Sequence, residues 1–280
     1  MNRKKRVAFP QFPLFIFTMK PTILLYDSGM GGLTIYDAIR QSLPNAHYLY
    51  CFDNAFFPYS EKSEAVLIER AIKIVQKIAQ NYPLDMVVVA CNTASTVVLP
   101  ALREQFTFPI VGTVPAIKPA ASISKSKVIG LLATKGTVNR PYVDDLIAKY
   151  ASQCVVEKIG TTDLVEIVEE KQQTGAVDMA RLQQVIEPWR NHPTLDTVIL
   201  GCTHFPLVKA ELQQLLPKVK YFIDPGYGIA NRVSEFFKFF PMKKGKNDNL
   251  AFCTKYPEDF VARETVMQKW GFKQLQVLDL

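Results

Sequence analysis

One short plan occurs twice in this chain, and it limits the folds available. In the first copy, Val87-Val88-Val89-Ala90-Cys91-Asn92-Thr93-Ala94-Ser95, three β-branched residues run into a small residue, a cysteine, and amide and hydroxyl side chains. In the second, Val198-Ile199-Leu200-Gly201-Cys202-Thr203-His204-Phe205-Pro206, an apolar run again reaches a small residue and a cysteine, then a threonine and a histidine. A short apolar run closed by small polar residues reads as a buried parallel strand. Apolar residues at helical spacing over 94–106 follow the first copy. Cys91 therefore sits at the carboxyl end of a strand, beside a helix N-terminus. Open α/β sheets bind ligands at that edge, and a helix N-terminus favours a thiolate. Taken alone, either cysteine could equally be a buried, inert one.

A second pair of segments echoes the first. Ile23-Leu24-Leu25-Tyr26-Asp27-Ser28-Gly29 resembles Gly130-Leu131-Leu132-Ala133-Thr134-Lys135-Gly136, at a similar separation along the chain. Two strand-turn units recurring in the same order predict two similar α/β halves, each presenting one cysteine to a shared cleft. The rest of the pattern agrees. Strands are expected at 23–26, 47–52, 110–112, 127–133, 155–159 and 221–223, with edge strands at 250–254 and 275–278. Helices are expected at 33–42, 64–80, 94–106, from the 134–137 turn to about 150, and at 164–172, 179–189, 207–216 and 228–240. The last of these would return to the first half. The expected fold is α/β: two pseudo-symmetric doubly wound domains with parallel-rich sheets and the active site in the cleft between them. Residues 19–114 and 226–280 would form the first domain and 115–225 the second, with 1–18 an extension outside both cores.

Composition narrows the function classes. The 280 residues are 48% hydrophobic and 21% charged, an ordinary globular balance. The net charge of +7 invites a nucleic-acid reading. Apart from Arg3-Lys4-Lys5-Arg6 and Lys243-Lys244-Gly245-Lys246, however, the basic residues are scattered, and no binding motif accompanies them. Five cysteines without framework spacing fit a reducing cytoplasm. No apolar run approaches the ~20 residues of a membrane helix. The basic start and the apolar Leu14-Phe15-Ile16-Phe17 resemble a signal peptide, but prolines break the apolar region and no cleavage site follows.

The turn Asp27-Ser28-Gly29-Met30-Gly31-Gly32 contains Gly-x-Gly, but Thr34 stands where a dinucleotide fingerprint needs its third glycine. Asp27 would repel a phosphate; it suits an ammonium group or a base. The loop over 53–63 carries Phe56-Phe57-Pro58-Tyr59-Ser60 and is expected to expose its tyrosine at a binding edge. Two thiols at matched strand ends admit three chemistries. Metal binding would use Cys202 and His204, but Cys91 is followed by Asn92 and Thr93, which are not zinc ligands. Nucleophilic catalysis by Cys202 with His204 would leave the duplicated cysteine idle. Proton transfer would place one thiol on each face of a carbon acid, with neighbouring amides and hydroxyls holding carboxylates.

Four segments in order carry a resemblance: Asp27-Ser28-Gly29-Met30-Gly31-Gly32-Leu33-Thr34, Pro58-Tyr59-Ser60, Ala90-Cys91-Asn92-Thr93-Ala94-Ser95 and Gly201-Cys202-Thr203-His204-Phe205-Pro206-Leu207. Over 23–232 the chain resembles the cofactor-independent glutamate racemases of the aspartate/glutamate racemase superfamily. The resemblance implies glutamate held between two domains, D-glutamate supply for peptidoglycan, and no pyridoxal phosphate or other cofactor. It implies that Cys91 and Cys202 are the acid/base thiols, with Asp27 assisting the first and His204 the second. Ser28, Tyr59, Ser60, Asn92, Thr93, Thr134, Thr203 and His204, with Asp27, would contact substrate. Family members often have Gly where Ser60 stands. The family's acidic helper follows a Leu-Val-Pro pattern; here Leu164-Val165-Glu166-Ile167-Val168-Glu169 lacks the proline, and Glu169 is the matching residue. A peptidoglycan-precursor activator and a homodimer are compatible with the resemblance. The rival readings are a sibling racemase acting on aspartate, and a catalytically idle binding or regulatory protein on the same fold.

Overall fold

The computed structural model describes residues 20–238 and 248–280. The 1–18 extension, and most of the basic loop over 242–249, lie outside the described residues. In the first stretch, β1 (Thr22–Asp27), α1 (Leu33–Ser42), β2 (His47–Phe52), α2 (Glu64–Asn81), β3 (Met86–Val89), α3 (Asn92–Ser95), α4 (Leu99–Gln105) and β4 (Ile110–Gly112) alternate. The second stretch runs α5 (Ile117–Ile123), β5 (Val128–Ala133), α6 (Lys135–Val138), α7 (Pro141–Tyr150), β6 (Val155–Gly160), α8 (Asp163–Thr174), α9 (Met179–Ile186), β7 (Thr197–Leu200), α10 (Lys209–Leu215) and β8 (Tyr221–Ile223). The chain ends with α11 (Gly226–Phe237), β9 (Leu250–Cys253), α12 (Phe260–Lys269) and β10 (Leu275–Val277).

Among the described residues the strands form two sheets, ordered β10-β9-β2-β1-β3-β4 and β6-β5-β7-β8, with every pairing parallel. The order β2-β1-β3-β4 recurs as β6-β5-β7-β8, so the internal repeat of the sequence is a repeat of topology. In each sheet the winding reverses between two neighbouring strands. That reversal opens a crevice at their carboxyl ends. It falls at β1 and β3 in the first sheet and at β5 and β7 in the second. Asp27 and Cys91 end the first pair; Thr134 and Cys202 follow the second.

Both faces of each sheet are covered, as parallel sheets require. On the first sheet, residues of α1 and α11 with Met267 of α12 bury one face, and residues of α2 and α4 the other. On the second, α8, α9 and α10 bury one face and α5 and α7 the other. Ile229, Ala230, Val233 and Phe237 of α11 join the core of Leu33, Ile35 and Ile39, so the chain does return to its first half.

The local differences from the sequence reading have local causes. The single helix expected over 94–106 is two, α3 and α4, with Pro100 in the first turn of α4. Proline there lacks only an amide that the first turn leaves unbonded, so it starts a helix well but cannot continue one. Pro141 likewise separates α6 from α7. Helices α5 and α12 were not anticipated. In α12 only Met267 is buried, which leaves no apolar stripe to read.

Candidate active site

The cleft side chains converge on one narrow pocket, lined among others by Asp27, Ser28, Tyr59, Ser60, Cys91, Asn92, Thr93, Thr134, Cys202, Thr203 and His204. The expected site residues are therefore brought together, with Glu169 just behind His204. Phe57 and Val165 also line the pocket and were not singled out from sequence. The two thiols are buried alike, Cys91 at 6% and Cys202 at 7% exposure.

On the first side, Cys91 caps α3. Its Sγ accepts from the Ala94 amide at 3.5 Å and lies 3.9 Å from Ser28 Oγ. Asp27 is fully buried. Its Oδ1 accepts from the Ser28 amide at 2.7 Å, and its Oδ2 from the Gly32 amide at 2.5 Å and from Thr203 Oγ1 at 3.1 Å. Burial raises the Asp27 carboxyl above its ordinary value, against the opposing pull of His204 and these hydrogen bonds. Burial, with the Asp27 charge beside it, pushes the Cys91 thiol well up.

On the second side, His204 Nδ1 lies 3.7 Å from Cys202 Sγ and its Nε2 2.7 Å from Glu169 Oε1. The Met30 amide donates to the same carboxylate oxygen at 2.9 Å. Burial opposes charge on His204, but its bonds to Cys202 and Glu169 outweigh that and raise the imidazole well above its usual value. Burial likewise disfavours a charged Glu169. The bond from His204, the Met30 amide and nearby Arg263 prevail and hold its carboxyl below the usual range.

The glycine-rich turn now has a physical reason. Its amides at Ser28, Met30 and Gly32 hold the two carboxylates. A Cβ on Gly29 would come within 2.7 Å of Glu169 Oε1, and one on Gly31 would collide with the His204 ring. The turn is a cradle for side chains of the opposite half.

Three further observations bear on ligand binding. Thr93 Oγ1 lies 2.9 Å from Thr134 Oγ1 and 3.2 Å from Thr137 Oγ1, a hydroxyl cluster joining the two halves. The carboxamide of Asn92, at 2% exposure, has no hydrogen-bond partner on either Nδ2 or Oδ1. Folded proteins seldom leave a buried amide unpaired. Tyr59 corrects the expectation of an exposed ring: it is 2% exposed, its hydroxyl contacts Tyr26 and donates to Asp53 Oδ2 at 2.7 Å, and Asp53 is paired with Arg70. Aromatic packing beneath the loop, which composition does not reveal, draws the ring inward. The remaining loop residue, Ser60, places Oγ 3.5 Å from Thr162 Oγ1 of the other half.

The sequence pattern of the Asp/Glu/Hydantoin racemases matches residues 30–230. The chain belongs to that family. It is 75% identical to a glutamate racemase of Glaesserella parasuis, over 93% of this chain and 98% of that protein. It is 57% identical to one from Pasteurella multocida, over 93% and 97%. In structure it resembles Escherichia coli glutamate racemase in complex with L-glutamate and the activator UDP-MurNAc-Ala. The TM-score is 0.88 at 47% identity, over 92% of this chain and 98% of that one. The activity that comes with this membership is that of an isomerase, interconverting L- and D-glutamate. Among the described residues, no helix is long and apolar enough to cross a membrane.

Proposed function

We propose that this chain racemises glutamate by a two-thiol mechanism, in which Cys91 and Cys202 act on opposite faces of the α-carbon. One enters as thiolate and takes the α-proton; the other enters as thiol and gives its proton to the opposite face. The C–H electron pair stays on carbon, delocalised into the α-carboxylate, until the new bond forms. The enzyme is left with its protonation reversed, ready for the other enantiomer. The observation that carries this reading is the symmetry of the pocket: two equally buried thiols at equivalent strand ends, each with its own acid/base neighbour.

Asp27 exchanges protons with Cys91, and its raised value suits that task. His204, backed by Glu169, serves Cys202. The unpaired Asn92 amide, the Thr93 and Thr134 hydroxyls, and Ser28, Ser60 and Thr203 orient the ammonium and carboxylate groups. Tyr59 contributes through its backbone, because its hydroxyl is committed to Asp53. Residues 19–114 with 226–280, and 115–225, are the two bodies that enclose the substrate. The D-glutamate formed in the cytoplasm feeds peptidoglycan, and a precursor like the one bound by the Escherichia coli relative raises the activity, which an assay with and without it reads directly. A homodimer is the assembly to test by light scattering.

Deuterated water tests the mechanism. Starting from protiated L-glutamate, early D-glutamate is expected to carry deuterium at Cα while unreacted L-glutamate stays protiated. Early label in both pools, or unlabelled D-glutamate, points instead to a single base and returns the assignment to Cys202 with His204.

A further inference from the structure

The line of contacts Cys202–His204–Glu169 does not stop at Glu169. The second carboxylate oxygen, Oε2, faces Arg263 Nη1 at 3.6 Å. Arg263 stands on α12, which packs on the first sheet through Phe260 and Met267, whereas Glu169 stands on α8 of the second. The guanidinium is aimed: its Nε donates to Asp259 Oδ1 at 2.7 Å, one helical turn earlier. Both partners are largely out of water, at 18% and 11% side-chain exposure, so their attraction is weakly screened. Sequence gave no sign of this contact.

We propose that Arg263 is a positioning residue, which clamps Glu169 onto His204 across the cleft and so keeps the imidazole against Cys202. The inference rests on the assignment of Cys202 and His204 above. Its physical basis is the geometry of a carboxylate. Oε1 is taken up by His204 Nε2 and the Met30 amide. With Oε2 unpaired, the group would be free to take a proton or rotate, and either change releases the ring. The cation on Oε2 favours the ionised carboxylate, and the ionised carboxylate fixes the imidazole. Arg263 lines the space beside the thiol pocket, not the thiol pocket itself, so it acts through Glu169 and does not touch substrate. The charged and titratable groups around Glu169 are His204 and, beyond it, Cys202 from the second half, and Arg263, its partner Asp259 and Tyr50 from the first. Lys255 and Glu258 stand farther out along the same opening.

The test compares wild type with Arg263→Gln, Arg263→Lys and Asp259→Asn, measuring kcat and KM across pH and the melting temperature of each. Arg263→Gln is expected to lower kcat on the order of ten- to a hundredfold, the scale of a misplaced catalytic group, with little change in KM. Losing the cation makes Glu169 easier to protonate, so the acid limb of kcat/KM moves to higher pH. Lys, which restores a charge at a single contact, should recover most of both effects. Asp259→Asn removes an anion that competes for the guanidinium and leaves more of its charge on Glu169, so the limb should move by less and the other way, to lower pH; this variant carries the test if the Gln chain does not fold. An unmoved acid limb in both, or a loss that follows melting temperature alone and is not rescued by Lys, overturns the proposal. Cys202→Ser, assayed alongside, separates the two readings. If it is active, the thiol assignment is wrong; if it is inactive and Arg263→Gln behaves as wild type, only the clamp is wrong.

Discussion

Cys91 and Cys202 end equivalent strands in equivalent halves, yet the groups beside them differ in kind. Cys91 faces a carboxylate, Asp27, that ends β1 of its own sheet and is held by the Ser28 and Gly32 amides. Cys202 faces an imidazole two residues on, which leans on a carboxylate from α8. The burial is the same, but the electrostatics are opposite. Burial and, after it, the anion beside Cys91 drive that thiol toward its protonated form, while a well-paired, readily protonated ring stands beside Cys202. The repeat of topology therefore accounts for where the thiols are, and the residues after each strand for what stands beside them. The proposed two-thiol mechanism needs such a pair, because one thiol must give a proton while the other takes one.

The largest effects should come from removing either thiol. Cys91→Ser and Cys202→Ser nearly preserve shape but supply a far weaker acid and base, so each is expected to lower kcat/KM by at least about a thousandfold. The melting temperature should stay close to wild type. A serine variant with near wild-type turnover would break the comparison outright, by showing one half to be idle.

Smaller losses, on the order of a hundredfold, are expected for Asp27→Asn and His204→Gln, and these sharpen the comparison. The enantiomers have equal free energy in water, so kcat/KM must be equal in the two directions for every variant. Asymmetry between the halves can appear only in kcat and KM taken separately, or in the isotope effect on each step. With α-deuterated substrates, Asp27→Asn should raise the isotope effect on kcat more in one direction, and His204→Gln more in the other. If both variants skew the same direction, the two neighbours do not serve different thiols.

The repeat made the halves legible in sequence. Small-Cys-polar at the end of an apolar run can hardly be anything but a strand end, and its recurrence predicted a shared cleft. Asp27 was legible for the same reason. The electrostatic tuning was not. That Glu169 reaches His204 depends on how α8 packs across the cleft, and among Glu166, Glu169 and Glu170 only the resemblance singled it out. Structure shows why: the other two lie at the surface with Arg181. Arg263 and Thr137 were missed, the first on a helix without an apolar stripe, the second only three residues beyond the Thr134 it bonds.

The smallest effect is expected on stability, at Asn92. Its carboxamide is buried beside Cys91 with neither polar atom bonded, so in the ligand-free fold it contributes desolvation cost without a compensating hydrogen bond. Asn92→Ala deletes that cost together with a little packing. The two changes oppose each other, and the melting temperature of the ligand-free chain should shift by no more than a few degrees, in either direction. Binding should tell a different story. If the amide pairs with glutamate, its loss weakens binding by about the worth of one hydrogen bond to a charged group, ~1.5–3 kcal/mol, or roughly ten- to a hundredfold in Kd. Melts with and without saturating glutamate separate the two contributions, because a ligand stabilises only the state that binds it. Wild type should gain more from glutamate than Asn92→Ala does. A variant that loses stability without ligand, yet gains as much from glutamate as wild type, would mark Asn92 as part of the scaffold and leave substrate orientation in the Cys91 half to Ser28 and Thr93.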